Sequence, residues 1–98
     1  MDRINLGEQA TITYTVTENG AVKDISAATM VELKFTQGAV EQIVTAQLAT
    51  DGTDGKINYE LTANDLDAVG VWEVRARVTV PGKRPFGGDP DTIRVEEW

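Results

Sequence analysis

The segment from Val71 to Val80 constrains the fold more than any other part of the chain. Its apolar and polar side chains alternate: Trp72, Val74, Ala76, Val78 and Val80 fall on one parity, and Glu73, Arg75, Arg77 and Thr79 fall on the other. Successive side chains of a β-strand point to opposite faces, so this period of two predicts one long strand with a core side and a solvent side.

The same alternation recurs along the chain, between turn signals such as Glu18-Asn19-Gly20 and Pro81-Gly82. The predicted strands cover residues 11–16, 21–25, 29–36, 42–49, 56–61, 71–80 and 91–95. Residues 62–67 are predicted to form one short helical turn, with Thr62 or Asn64 accepting backbone N–H bonds. About seven strands at this spacing predict an all-β sandwich or small barrel, and 98 residues suit a single domain, 1–98.

The composition excludes most catalytic chemistry. The chain has no histidine and no cysteine, and Ser26 is its one serine. His-based triads, histidine general bases, thiol catalysis and Cys-ligated zinc are therefore excluded. We expect the protein not to be an enzyme, to have no catalytic or cofactor-binding residues and to need no cofactor.

The charge argues against polyanionic partners. Nine Lys and Arg oppose sixteen Asp and Glu, for a net charge of −7. Because proteins bind phosphate backbones by neutralising them with cations, we expect no nucleic-acid partner.

No apolar stretch reaches the roughly 18 residues of a membrane span, so no membrane partner is expected either. Residues 1–5 lack the order of a signal peptide, which predicts synthesis in the cytoplasm.

The sequence Asp51-Gly52-Thr53-Asp54-Gly55 offers carboxylates on a glycine-rich loop, as a calcium site would. An EF-type loop needs more acids at alternate positions and a closing Glu, and Glu60 lies within a predicted strand. A hairpin turn is the favoured interpretation, and no metal-binding residue is predicted.

Candidate contact residues lie near the C-terminus. The loop 83–90 places Lys83 and Arg84 beside Phe86, which we interpret as an apolar anchor with a cationic rim; the alternative is that Phe86 folds back over the end of the sandwich. Trp98 ends the chain outside the predicted core parity, so docking on a neighbour or a second subunit is one interpretation.

A second pair of cations lies on the solvent side of the long strand. Arg75 and Arg77 share that side with Glu73. Cross-strand pairing to acids is the favoured interpretation, and a binding patch is the alternative.

Three stretches resemble a known family. They are Asp24-Ile25-Ser26-Ala27-Ala28-Thr29-Met30-Val31-Glu32-Leu33, then Asp54-Gly55-Lys56-Ile57-Asn58-Tyr59-Glu60-Leu61 with Asp65 and Gly70-Val71-Trp72-Glu73-Val74, and finally Asp91-Thr92-Ile93-Arg94-Val95. In order and spacing they are similar to the immunoglobulin-like structural domains of tailed bacteriophages, found in baseplate upper proteins and related tail or head accessory proteins.

The resemblance implies an immunoglobulin-like antiparallel β-sandwich without catalytic residues. It implies a phage or prophage virion structural or assembly protein of the tail, baseplate or head–tail joint, located in the virion after synthesis in the host bacterial cytoplasm. Its expected partners are other virion proteins or copies of itself, with a homo-oligomer possible in the particle.

The alternative is a carbohydrate- or cell-surface-binding module, such as a head decoration domain. Trp72 and the two tyrosines could then form a sugar-stacking platform, although all three lie on predicted core parities.

Overall fold

The computed structural model describes residues 3–62, 65–82 and 85–97, and within these ranges the regular structure is all β. The strands are β1 Arg3–Asn5, β2 Ala10–Thr15, β3 Thr17–Glu18, β4 Ala21–Val22, β5 Met30–Gln37, β6 Val40–Thr45, β7 Gln47–Leu48, β8 Lys56–Leu61, β9 Gly70–Thr79, β10 Phe86–Gly87 and β11 Asp91–Glu96.

The strands form a larger sheet, a smaller sheet and a hairpin. The larger sheet has the order β1-β11-β9-β5-β6, with β10 also pairing with β9. The smaller sheet has the order β2-β8-β7, and β3 pairs with β4. All of these pairs are antiparallel except β1 with β11, which is parallel.

The inward faces of the two sheets share one apolar cluster. The long strand β9 behaves as its alternation predicts, because Trp72, Val74, Ala76 and Val78 are buried while Glu73, Arg75 and Arg77 are exposed. The core residues from the other strands include Val31, Leu33, Phe35, Ile12, Tyr14, Ile57, Leu61, Ile93 and Val95. Burying these side chains from two sheets is what stabilises a sandwich, and the predicted all-β sandwich is confirmed.

Within the described residues eleven strands replace the predicted seven, because one predicted strand is divided and the short strands β1, β3 and β10 are added. The predicted strand 42–49 is divided at Ala46, where the chain leaves β6 in the larger sheet and enters β7 in the smaller one. The Ala46 N–H donates to the Val31 carbonyl at 2.9 Å, so the break keeps its backbone bond. Three-residue β1 and two-residue β10 are too short for alternation to reveal.

The predicted helical turn is wrong for the described part of 62–67, which contains no helix. The Asp65 carboxylate accepts bonds from the Thr62 N–H at 2.9 Å and the Thr62 hydroxyl at 3.1 Å. The side-chain acceptor is therefore Asp65 and not Thr62, whose backbone carbonyl accepts the Asp65 N–H at 3.1 Å. Asn64 lies outside the described residues. Leu66 follows with φ of 49° and is fully buried, which places an apolar side chain in the core from a turn.

Candidate contact face and its anchored loop

The outward face of the larger sheet carries a shallow open cavity of about 620 Å³. Strands β5, β6 and β9 contribute its charged lining, together with Pro85 and Gly87. In the sheet register Lys34 lies opposite Arg75 on one side and Ile43 on the other, while Glu32 lies opposite Arg77. The cavity is therefore a mixed-charge surface with the exposed apolar side chain of Ile43 at its β6 side.

The cations of this face do not pair as the sequence suggested. The Arg75 Nε donates to the Gly88 carbonyl at 3.1 Å, so this guanidinium holds a loop backbone and not an acid. Arg77 lies opposite Glu32 in register, yet among residues 3–62, 65–82 and 85–97 no carboxylate is within ion-pair distance of it. Arg77 is thus an exposed cation on this face.

Asp89 anchors the end of the loop that borders this face. Its carboxylate accepts the Gly20 N–H at 3.0 Å, the Thr17 hydroxyl at 3.0 Å and the Asn19 N–H at 3.3 Å. Hydrogen bonds from Gly20, Thr17 and Asn19, with the positive charge of Arg75, hold the pKa of Asp89 below its usual range, against a smaller opposing effect of desolvation. The loop is therefore tied to the β3–β4 hairpin.

The hairpin presents those N–H groups because of its two-residue turn. Asn19 has φ of 53° and Gly20 has φ of 84°, the left-handed conformations that an Asn-Gly two-residue turn favours. Asp89 is linked to the same hairpin through its backbone, since its N–H donates to the Thr17 carbonyl at 2.7 Å. This role of Asp89 is not predicted by the sequence, in which a carboxylate between glycine and proline is the one local signal.

Gly88 fits where no side chain could. A Cβ at this position would lie 2.8 Å from the Tyr14 hydroxyl oxygen, closer than van der Waals contact allows. The Tyr14 hydroxyl in turn donates to the Asp89 carbonyl, and burial raises the pKa of Tyr14. The buried Tyr14 thus connects the core to the loop beside the contact face.

The glycine-rich turn 51–55 uses its carboxylates internally. Asp51 accepts the Thr53 N–H at 3.0 Å and its hydroxyl at 2.7 Å, and Asp54 accepts the Lys56 N–H at 3.1 Å. Within the described ranges, no three acids cluster as a metal site would need. Gly52 and Gly55 both have positive φ and pack against backbone, which is typical of the predicted turn.

The aromatic side chains of the proposed sugar platform are occupied in the core. Trp72 and Tyr14 are buried and Tyr59 is half-buried. The Trp72 Nε1 donates to the Ala68 carbonyl at 3.0 Å, and the Tyr59 hydroxyl donates to the Asp65 carboxylate at 2.9 Å. A flat stacking surface made from these three rings is therefore not present.

The contact residues predicted from sequence are not tested. Lys83, Arg84 and Trp98 lie outside the described residues, and of Phe86 only the backbone is described, as part of β10 opposite Val78. Their contact role remains a prediction. In the portion of the chain that is described, no helix is long and apolar enough to cross a membrane.

Comparison with known proteins gives a fold and no family. No protein-family profile matches the chain, and no curated protein matches it in sequence. Among solved structures it is similar to the N-terminal domain of phage TP901-1 ORF48, with a TM-score of 0.73 and 18% identity. The match covers 97% of this chain and 83% of that chain. The chain thus has the fold of a domain from a phage protein.

Proposed function

We propose that this protein is a non-enzymatic virion structural or assembly protein of a phage or prophage, which acts through protein–protein contacts. The observation that carries the proposal is the likeness to a phage domain over 97% of the chain. The assignment to the immunoglobulin-like class belongs to the same proposal and is supported by the sandwich of mainly antiparallel strands.

The surface chemistry supports contact and not catalysis. The larger sheet exposes Arg77 without an ion-pair partner among the described residues and Ile43 with 57% of its surface accessible. Charged and apolar side chains side by side on a rigid sheet are suited to a protein interface. The missing histidine and cysteine leave few groups from which an active site could be built.

We place the protein in the tail, baseplate or head–tail joint, with other virion proteins or copies of itself as partners. The outward face of the larger sheet and the loop anchored by Asp89 are the proposed contact surfaces, to which Lys83, Arg84, Phe86 and Trp98 would add. Contacts repeated around a symmetric ring add up through multivalency, so each can be individually weak.

The test is to purify particles from a host that carries the gene and to quantify this chain in them by mass spectrometry. We expect a fixed stoichiometry to the major virion proteins, and particles with an assembly defect when the gene is deleted. Normal particles without the chain would contradict the proposal.

A matched pair of variants tests the contact surface. Arg77→Glu, on the outward face of the larger sheet, is expected to lower incorporation by about tenfold or more, as the loss of roughly 1.4 kcal/mol of contact energy would. Thr11→Glu, exposed on β2 of the smaller sheet, is the control and should incorporate normally.

Glycan binding by the purified protein would instead favour a carbohydrate-binding module.

A further inference from the structure

Two six-residue strands form edges of the sandwich, and they differ in what they expose. β6 ends the larger sheet and β2 ends the smaller one. The outward side chains of β2 are Thr11, Thr13 and Thr15, whereas β6 carries Ile43, 57% exposed, between Glu41 and Thr45. Natural edge strands are commonly blunted by charged side chains, especially lysine, by proline or by a bulge; β6 has Glu41 as its one charged residue and no Lys or Pro.

The direction of the β6 backbone groups follows from one hydrogen bond. The Ala46 N–H donates to the Val31 carbonyl at 2.9 Å, so Ala46 and Val31 form a hydrogen-bonded pair. Such pairs alternate along antiparallel strands, and Val44 and Gln42 therefore also direct their backbone groups toward β5.

It follows that Glu41, Ile43 and Thr45 direct their N–H and C=O groups away from β5, toward the open edge. No hydrogen bond from the described residues reaches these groups. Three donors and three acceptors are thus presented in a row, on a strand whose central side chain is apolar.

We infer that β6 pairs with β6 of a second copy of this chain, antiparallel, about a twofold axis at Ile43. An axis there places Ile43 opposite Ile43 and Glu41 opposite Thr45. All three residues whose backbone groups face the open edge then form hydrogen-bonded pairs. An axis at Glu41 would oppose two carboxylates, and an axis at Thr45 would run past the end of the strand. An axis at Gln42 or Val44 would also pair edge-directed groups, but it would leave Thr45 or Glu41, respectively, opposite a residue outside β6.

The charge pattern and symmetry also fit a second copy. At the Ile43 axis no two like charges lie directly opposite each other, although each chain carries a net charge of −7. A twofold axis makes the interface isologous, so a single patch supplies both sides. Pairing joins the two larger sheets into one continuous sheet, as in strand addition.

The interface is small, which sets the expected affinity. Six residues a side lie well below the roughly 20–30 residues of a standard stable interface, so the isolated dimer is weak. The inference rests on the proposed assembly role for its biological meaning, since repetition in a particle would strengthen a weak contact. Its physical basis is the edge geometry alone.

The first test is sedimentation velocity of the full chain up to roughly 1 mM, the range of a weak complex. We expect a reversible dimer. Ile43→Lys should raise the dissociation constant by about tenfold or more, because two lysines would face each other at the axis. Thr11→Lys places the same charge on the other edge and should leave the dimer unchanged.

Single cysteines test the register, since the natural chain has none. In the Ile43→Cys variant the two introduced thiols would meet at the axis, with Cα atoms about 5.5 Å apart, within disulfide range. With Thr45→Cys the two Cα atoms would be more than about 13 Å apart. Oxidation should therefore join Ile43→Cys chains much faster than Thr45→Cys chains.

Three results would overturn the inference: a monomer at every concentration, a dimer that Ile43→Lys leaves intact, or equal cross-linking of both cysteine variants. Circular dichroism verifies that each variant is folded, and substitution at these exposed positions leaves the core untouched. Because the measurements use the isolated protein, they can fail while incorporation into particles succeeds, and the two proposals remain distinguishable.

Discussion

The outward faces of the two sheets differ in chemistry, although their inward faces are alike. Inside, both sheets present tightly buried aliphatic and aromatic side chains, such as Leu33 from the larger sheet and Ile57 from the smaller one. Outside, the larger sheet exposes Arg77 and Ile43 around a shallow cavity. The smaller sheet exposes the threonines of β2 with Lys56 and Glu60 of β8, and among the described residues its strands expose no large apolar side chain. The inward pattern determines the fold, and the outward difference is the basis on which we propose the larger sheet as the contact face.

We expect the largest loss of stability from substitutions in the core that the two inward faces share. Leu33→Ala and Ile57→Ala each remove a fully buried aliphatic side chain, one from each sheet. Each should lower the free energy of unfolding by about 2–5 kcal/mol, through lost burial and the cavity left behind. Chemical denaturation measures both. If either variant lost less than about 0.5 kcal/mol, the range of ordinary surface substitutions, the shared core would be wrong.

The next effect concerns the loop that borders the larger sheet. Gly88→Ala should lower the free energy of unfolding by about 1–3 kcal/mol, because the new methyl group meets the Tyr14 hydroxyl oxygen at 2.8 Å. In a Tyr14→Phe background that contact is gone, and the same substitution should cost less. Equal losses in both backgrounds, measured by denaturation, would show that the hydroxyl does not limit the space at Gly88.

A smaller effect is expected in how the stability of the fold changes with pH. The pKa of Asp89 is lowered in the folded state, so its contribution to stability is present above the pKa of an unfolded carboxyl, near 3.9, and is lost as pH falls through the folded value. Asp89→Asn should therefore lose less stability than the natural chain between neutral and acidic pH. Urea denaturation across that range measures it, and parallel pH profiles would contradict the anchoring role.

The smallest effect concerns the two tyrosines, both on strands of the smaller sheet. Burial raises the pKa of Tyr14, and burial with the hydrogen bond to Asp65 raises the pKa of Tyr59 to about 12. At pH 10, where a free tyrosine is about half ionised, the folded protein should show much less tyrosinate absorbance. Their contribution to stability is complete below that pH and is lost as pH rises toward the folded values. Half-ionisation at pH 10 in a folded sample would contradict this burial.

Alternation predicted the fold class because it reports which side chains a strand buries. It identified the core side of β9, and Asn19-Gly20 correctly signalled a turn, in which both residues have positive φ. It could not reveal sheet order, because pairing depends on long-range packing. The parallel pairing of three-residue β1 with β11 and the change of sheet at Ala46 therefore appear only in the structure.

The site was less predictable than the fold, because its contacts join residues far apart in the chain. Asp89 bonds Thr17 across 72 residues, a pairing that no local pattern announces. The alternation placed Arg75 and Arg77 on the correct face, yet the acceptor for Arg75 is the backbone carbonyl of Gly88. Leu66 is buried from a turn, where periodicity gives no signal.

The most direct test of the central claim is a cysteine footprint of the two outward faces in assembled particles. The natural chain has no cysteine, so Arg77→Cys reports on the larger sheet and Thr11→Cys on the smaller one. We predict that maleimide labels both variants in the free protein, and that in particles Arg77→Cys is protected while Thr11→Cys still reacts. Equal labelling of both in particles, or protection of Thr11→Cys alone, would contradict the assignment of the larger sheet as the contact face.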